Sequence, residues 1–324
     1  MNPPPPPLRP LGLGELMDRT LRVWRANILP LARVMLPYAV ISQVVMSLGL
    51  WGLAPELEAM QADPSDVRAA FGVLGSVGVL STLSLWISWL GVVALSRASY
   101  PLFTGEPPPR ASPLRLHLSA TLAYIALLLL APLLCAVALI PSGILLLVLA
   151  GAIKALDAST QVAGAVIAAV GLLLIMLTLA TVFLWLTLRV YFAGPALASE
   201  SPSSLRTLWR RCRELMSGRI GPGLLGRVPV RASILLTVIS AIVFSTQIIA
   251  SMPYLALQAS FGSDVGALSS SVPLMLRLPA EAFIVGFSAL TQPIFALLGM
   301  RFYLDQRVRR EALDLELALQ RRAA

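Results

Sequence analysis

Arg277 and Glu281 stand four positions apart inside an apolar run, and Arg33 stands in another. A charged side chain in a bilayer is expensive when unpaired, so such residues are the first candidates for function. At i, i+4 spacing Arg277 and Glu281 can neutralise each other along one helix, provided Pro279 is accommodated near its start. Arg33 lies little more than one turn into its run, and two readings of it stand. Its stem can snorkel back to the interface, or its guanidinium can bind an anionic headgroup or substrate.

Acid–base, nucleophilic or metal chemistry needs several such groups converging on one point. The only histidine, His117, has no acidic or cysteine neighbour at metal-ligand spacing, so it reads as an interfacial residue rather than a proton carrier. Glu56, Glu58, Asp63 and Asp66 gather around Arg68, but their spacing fits no compact calcium loop; a solvated acidic loop is expected. Cys135 lies in an apolar run and Cys212 in a polar segment, which excludes a disulfide framework. No catalytic residue, cofactor or metal is expected, and the chain does not read as an enzyme.

The elements that position these residues are membrane helices. The chain is 57% hydrophobic and 13% charged, with mean hydropathy +0.81, against roughly 25% charged residues in soluble domains. Its net charge of +9 would suggest nucleic acid in a soluble chain. Here the cations flank apolar runs, where each is worth about 1 kcal/mol near an anionic leaflet. Anionic lipid headgroups, and not nucleic acid, are the expected partners.

Six apolar runs are long enough to cross the hydrocarbon, which takes about 20 residues. They cover Ile28 to Ala54, Ala69 to Ser96, Leu118 to Ile153, Gln161 to Leu188, Ala232 to Gln258 and Pro273 to Met300. The third is too long for one straight crossing and should tilt, extend or break, at Pro132 or at Pro141-Ser142-Gly143. A re-entrant pair would also absorb its length, but would place Lys154 on the cytoplasmic side. Gly72, Gly75, Gly78, Ser81, Ser84, Ser88 and Gly91 form a small-residue track in the second run, and Gly164, Ala168 and Gly171 a shorter one in the fourth. Such tracks let helices approach closely, within one chain or in a homo-oligomer.

Of the twenty-five Lys and Arg residues, twenty-one fall in alternate gaps between these runs. The rich gaps hold Arg9 to Arg25, then Arg97 to Arg115, then Arg189 to Arg231, and finally Arg301 to Arg322. Because cytoplasmic loops retain cations, this alternation predicts six spans with both termini in the cytoplasm. The expected fold is an all-α integral membrane protein, a bundle of six transmembrane helices with amphipathic cytoplasmic helices, in a bacterial-type cytoplasmic membrane. Residues 1–27 would form a proline-rich arm, with no secretory signal, and an interfacial helix. Residues 28–300 would form the six-span domain, and 301–324 an amphipathic tail.

Three cytoplasmic segments show helical amphipathicity. In the first, Leu13, Leu16, Met17, Leu21 and Trp24 oppose Glu15, Asp18, Arg19, Arg22 and Arg25. In the second, over 201–218, Leu205, Leu208, Trp209, Cys212, Leu215 and Met216 oppose Arg206, Arg210, Arg211, Arg213 and Glu214. Ser201 is a candidate cap, Pro202 suits the first helical position, and Ser217-Gly218 a stop. The tail sets Val308, Ala312, Leu315 and Leu319 among Arg307, Arg309, Arg310, Glu311, Asp314 and Glu316. Together they make a basic cytoplasmic collar. Its candidate lipid or partner face is Arg206, Arg210, Arg211, Arg213, Arg307, Arg309 and Arg310.

Arg189-Val190-Tyr191-Phe192-Ala193-Gly194-Pro195-Ala196-Leu197, followed by Glu200 and a basic helix ending at Gly218, resembles the signature of the membrane-domain family named for glycerophosphoryl diester phosphodiesterases. Asp305-Gln306-Arg307-Val308-Arg309-Arg310-Glu311-Ala312-Leu313-Asp314-Leu315 is similar to that family's ending, departing from it at Gln306, Ala312 and Leu313. The segment Leu11 to Thr20 also fits its usual N-terminal stretch. The resemblance implies a multi-helix membrane fold without an established activity. The phosphodiesterase name belongs to members fused to a catalytic barrel, and here His117 is followed by Leu118, leaving no His-Arg-Gly motif.

Read physically, Glu200 precedes a helix start, where a carboxylate is favoured. Arg189, Glu200, Asp305, Glu311 and Asp314 are thus expected to form a polar cluster joining the second amphipathic helix to the tail. The leading expectation is a noncatalytic membrane protein that organises partners or lipids through its basic face. The alternative is a transporter or channel for an anionic or lipidic solute.

Overall fold

The computed structural model of the chain describes residues 9–53, 67–109, 115–126 except 124, 170–200 except 172, 175, 176, 179, 180, 183 and 186, 202–260 except 222, 274–313, and 315. In chain order the helices are α1 (Leu13–Ala26), α2 (Ile28–Gly52), α3 (Val67–Thr104), α4 (Ala193–Ser199), α5 (Leu205–Met216), α6 (Val228–Ser260), α7 (Leu274–Thr291) and α8 (Pro293–Glu311). Residues 115–123 and the described residues of 170–190 are also helical. Among the described residues there is no strand, only an isolated bridge between Arg219 and Arg227.

Among the described residues four helical stretches are long and apolar enough to cross a membrane: Ile28–Gly49, Gly75–Thr104, Val228–Leu257 and Met275–Glu311. This is a helical protein suited to membrane integration. Most of the third expected span and the start of the fourth, with Pro132, Cys135, Pro141 and Lys154, lie outside the described residues, as does the acidic segment from Glu56 to Asp66. The six-span count therefore does not follow from the described part.

Burial is uneven along the helices. Toward one end of the bundle they carry exposed apolar side chains, among them Ile41, Val44 and Leu48 of α2, Phe244, Ile249 and Met252 of α6, and Met275 and Leu278 of α7. At the other end, α1, the end of α3, residues 190–198, α5, the start of α6 and α8 enclose one buried core. A helix rises 1.5 Å per residue, so the 38 residues of α3 reach about 57 Å, well beyond ~30 Å of hydrocarbon. The excess enters the core: Ser96, Ser99, Tyr100, Phe103 and Thr104 are all buried. Helix α3 thus runs past Ser96, and it ends at Gly105, whose φ of 74° favours glycine.

The centre of this collar is α8, buried at most positions from Pro293 to Val308. It follows α7 with only Gln292 between them, and Pro293 occupies its first turn, where a missing N–H is harmless. The helix passes through the boundary expected at Met300. The tail residues Arg301 to Gln306 and Val308 are therefore core rather than a surface appendage. Helix α1 lies against α8 with Leu16 and Thr20 buried, and its Trp24 Nε1 donates to the Leu290 carbonyl at 2.9 Å. Asn27 ends α1 and its side-chain amide donates to the Val23 carbonyl at 2.9 Å, turning the chain into α2.

Helix α5 starts later than Ser201 and Pro202 suggested. Its N-cap is Ser204, whose hydroxyl accepts from the Thr207 N–H while the Thr207 hydroxyl accepts from the Ser204 N–H. This reciprocal capping box satisfies two terminal donors that a Ser201 cap would leave further along. The end at Ser217 and the positive φ of Gly218 agree with the stop in the sequence.

Helices α2 and α3 pack through the small-residue track. Ser84 Oγ lies 2.5 Å from Ser42 Oγ, and a Cβ on Gly91 would stand 2.8 Å from Met35 Sδ and 3.1 Å from Tyr38 Cβ. At Gly75 a Cβ would meet nothing within 4 Å. Gly91→Ala is accordingly expected to lower stability by about 1–3 kcal/mol through overpacking and Gly91→Leu by more. Gly75→Ala should be neutral or slightly stabilising. Thermal unfolding of the three variants in one detergent checks this, and equal melting temperatures would show that the two helices are not in this contact.

Candidate functional site

The collar brings together three sets of charged groups. The first is a closed ring of two cations and two anions. Arg211 of α5 donates from Nε and Nη2 to the two Glu200 oxygens, both at 2.8 Å, and from Nη2 to Glu311 Oε2 at 2.7 Å. Arg307 of α8 donates from Nε to Glu311 at 2.9 Å and lies 3.4 Å from Glu200. The Tyr303 hydroxyl also donates to Glu200. Burial opposes the charge on Arg211, but the bonds to Glu200 and Glu311 outweigh it and hold its pKa above the usual guanidinium value. The ring is neutral overall and ties α5, the residue after α4 and the end of α8 to one another.

The second set fixes the segment before α1. The buried Asp305 carboxylate accepts from the Leu11 N–H at 2.8 Å and from Arg309 Nε at 2.9 Å. The Leu11 carbonyl accepts from Arg309 Nη2 at 2.7 Å and from Arg231 Nη2 at 2.9 Å. Both polar atoms of one peptide-linked residue are thus bound by side chains from α6 and α8. Main-chain groups taken out of water need such partners.

The third set faces outward. A groove of about 1050 Å³ lies between the helical residues Trp185, Leu188 and Arg189, α5 and the start of α6. Trp185, Leu188, Trp209 and Met216 supply apolar walls, and Arg189, Arg206, Arg210 and Arg213 supply charge. Arg189 lies over the Trp185 ring, 4.8 Å from its centroid, a cation–π geometry. Arg210 reaches Glu214 only at 3.8 Å, with both side chains exposed. Arg206 and Arg213 have no ion pair among the described residues. A smaller recess beside Glu200, Thr207, Arg211 and Glu214 measures about 350 Å³.

The candidate lipid face of the sequence therefore divides. Arg206, Arg210 and Arg213 are exposed, whereas Arg211 and Arg307 turn into the ring and Arg309 holds Leu11. Arg310 donates to the Glu214 and Ser217 carbonyls, capping the C-terminus of α5. Arg211 stands three residues after the buried Leu208 and four before the buried Leu215, at the edge of the buried face of α5. Of the five expected cluster residues, Glu200 and Glu311 meet in the ring and Asp305 sits in the Leu11 clamp. Arg189 instead lines the groove, and Asp314 lies outside the described residues. Arg277 Nε lies 2.5 Å from Glu281 Oε1, and Ser47 Oγ donates to the other Glu281 oxygen at 3.0 Å. Arg33 is exposed on α2.

Sequence reasoning missed Arg301, Tyr303 and Arg231, which lie within or beside apolar stretches and at no diagnostic spacing. Among the described residues no three His, Cys, Asp or Glu side chains converge as a metal site would require. Cys212 is buried against the core, and burial, reinforced by the Glu200 charge, pushes its thiol up to about 12. Comparisons with protein-family models, with curated proteins and with solved structures gave no match.

Two outcomes follow from this geometry. Glu200→Ala leaves Arg211 and Arg307 with Glu311 as their one shared anion and should destabilise the collar by about 3 kcal/mol, the low end for breaking a buried pair. Asp18→Ala, which removes an exposed pair with Arg22, should leave stability close to that of the parent protein, because solvent screens such a pair. Urea or thermal unfolding of both in detergent checks the contrast. In a Cys135→Ser background, maleimide should label folded Cys212 about a thousandfold more slowly than the denatured chain at neutral pH, because the thiolate is the nucleophile. The folded-state rate should rise about tenfold per pH unit as the thiolate fraction grows. Equal rates in the two states would place the thiol in the open.

Proposed function

We propose that the protein is a noncatalytic integral membrane component that gathers anionic lipid, and partners through it, at a basic cytoplasmic face. The observation that supports this most directly is the groove. Four arginines stand at an apolar cleft, and among the described residues none has a carboxylate closer than the 3.8 Å contact of Arg210 with Glu214. That combination suits an amphiphile with an anionic head, whose phosphate would take the guanidiniums while its upper acyl segment lay along Trp185, Leu188 and Met216. The neighbouring ring neutralises its own charges and holds α5 beneath the exposed arginines. The resemblance to the phosphodiesterase-named membrane-domain family, which implies no established activity, accords with a noncatalytic role.

The alternative, a transporter or channel for an anionic or lipidic solute, rests on Arg33 and the long third apolar run, and Arg33 does not line the groove. A homo-oligomer would suit an organising role, and the open Gly75 end of the small-residue track offers one place for a second copy.

Native mass spectrometry of the full chain, released from detergent micelles containing phosphatidylglycerol or phosphatidylcholine, tests the lipid reading. Phosphatidylglycerol should be retained preferentially. Replacing Arg206, Arg210 and Arg213 together by Gln should weaken that retention by about 3 kcal/mol, roughly a hundredfold, at about 1 kcal/mol per cation. These side chains are exposed, so folding should survive. Equal retention of the two lipids, or no loss in the triple variant, would refute the proposal.

A further inference from the structure

Arg301 of α8 is 3% exposed, yet its Nε has no hydrogen-bond partner and it has no ion pair among the described residues. The contact that it makes is with the Phe103 ring of α3, 5.2 Å from the ring centroid. An arginine cannot escape burial by losing its proton, and an unmatched buried charge is strongly destabilising. The carboxylates whose charge acts on it, Asp305 and Glu15, are already engaged. Asp305 is taken by Leu11 and Arg309. Glu15 Oε1 is shared by Arg9 at 2.6 Å and Arg19 at 2.8 Å. Arg19, whose charge also acts on Arg301, has its own buried Nη1 without a partner. Two guanidiniums on facing helices therefore each hold a buried, unused donor, and the local charge is positive.

We propose that the junction of α1, α8 and the end of α3 binds a phosphate-type anion, a free phosphate or the phosphate of a lipid headgroup, between Arg19 and Arg301. Several oxygens on one centre can accept from both guanidiniums at once, which neither nearby carboxylate can do in its present bonds. Arg19 keeps 22% of its side chain exposed and Glu15 31%, so the path to solvent or headgroups runs along α1. This site is separate from the arginine groove, which none of these residues lines.

Thermal unfolding of the full chain in neutral detergent tests it, with sodium phosphate set against sodium chloride at equal ionic strength, and with phosphatidic acid set against phosphatidylcholine in mixed micelles. Saturable stabilisation by phosphate identifies a free anion, and stabilisation by phosphatidic acid alone identifies a headgroup; either supports the site. Arg19→Gln should raise the half-saturating concentration about tenfold or more. Arg301→Leu should abolish the response and, without ligand, melt higher than the parent protein. The Arg206→Gln, Arg210→Gln, Arg213→Gln triple variant should respond as the parent does. No stabilisation by either probe would overturn the proposal. So would an unchanged response in Arg19→Gln, which keeps the test decisive even if Arg301→Leu does not fold, or a response lost in the triple variant instead.

Discussion

The pairing of Glu200 with Arg211 and Arg307 is the contact on which the collar depends. Glu200 follows a short, wholly buried α4, Arg211 comes from α5, and Arg307 and Glu311 come from α8. Apolar contacts alone would hold these three segments loosely, because Leu and Ala faces slide past one another at little cost. Directional bonds to both oxygens of one carboxylate admit a single register. A buried ion network is weak evidence for net stability, since apolar residues of similar volume can be as favourable. Its physical return here is geometry: the amphipathic helix is held at a fixed angle against α8, with its remaining arginines facing away.

The same constraint explains the shape of the molecule. A membrane helix that ended at the interface would leave α1, α4 and α5 without an apolar partner. Instead α3 and the 37-residue stretch Met275–Glu311 of α7 and α8 continue beyond the length that hydrocarbon requires, and their extensions supply that partner. The collar core is therefore built from the same rods as the spans. The exposed apolar side chains further along α2, α6 and α7 have the distribution expected of lipid-facing surface.

Much of this was legible in the sequence, because it rests on periodicity and composition. The apolar faces of α1 and α5, the stop at Gly218, and the i, i+4 relation of Arg277 to Glu281 all follow from spacing along one helix. The small-residue approach of α2 and α3 follows from residue size. What escaped the sequence depends on which helix faces which. Arg211 and Arg206 look alike in a helical projection of a basic segment, yet one lies in an ion ring and the other at a groove. Arg301 looks like the first residue of a charged tail, whereas continuity of α8 places it in the core. Charge counting assigns a side of the membrane; it carries no information about tertiary partners.

The clamp on Leu11 has a consequence for how this chain can vary. Asp305, Arg309 and Arg231 bind the Leu11 amide and carbonyl, groups that every residue except proline provides in full. Replacement at position 11 by another non-proline residue would keep every one of those bonds and alter only the packing. Insertion or deletion of one residue between Leu11 and α1 would move the bonded peptide by some 3 Å and break the set together. At this position the hydrogen bonds are strict in the count of residues, while the buried Leu11 side chain sets the limits on their type.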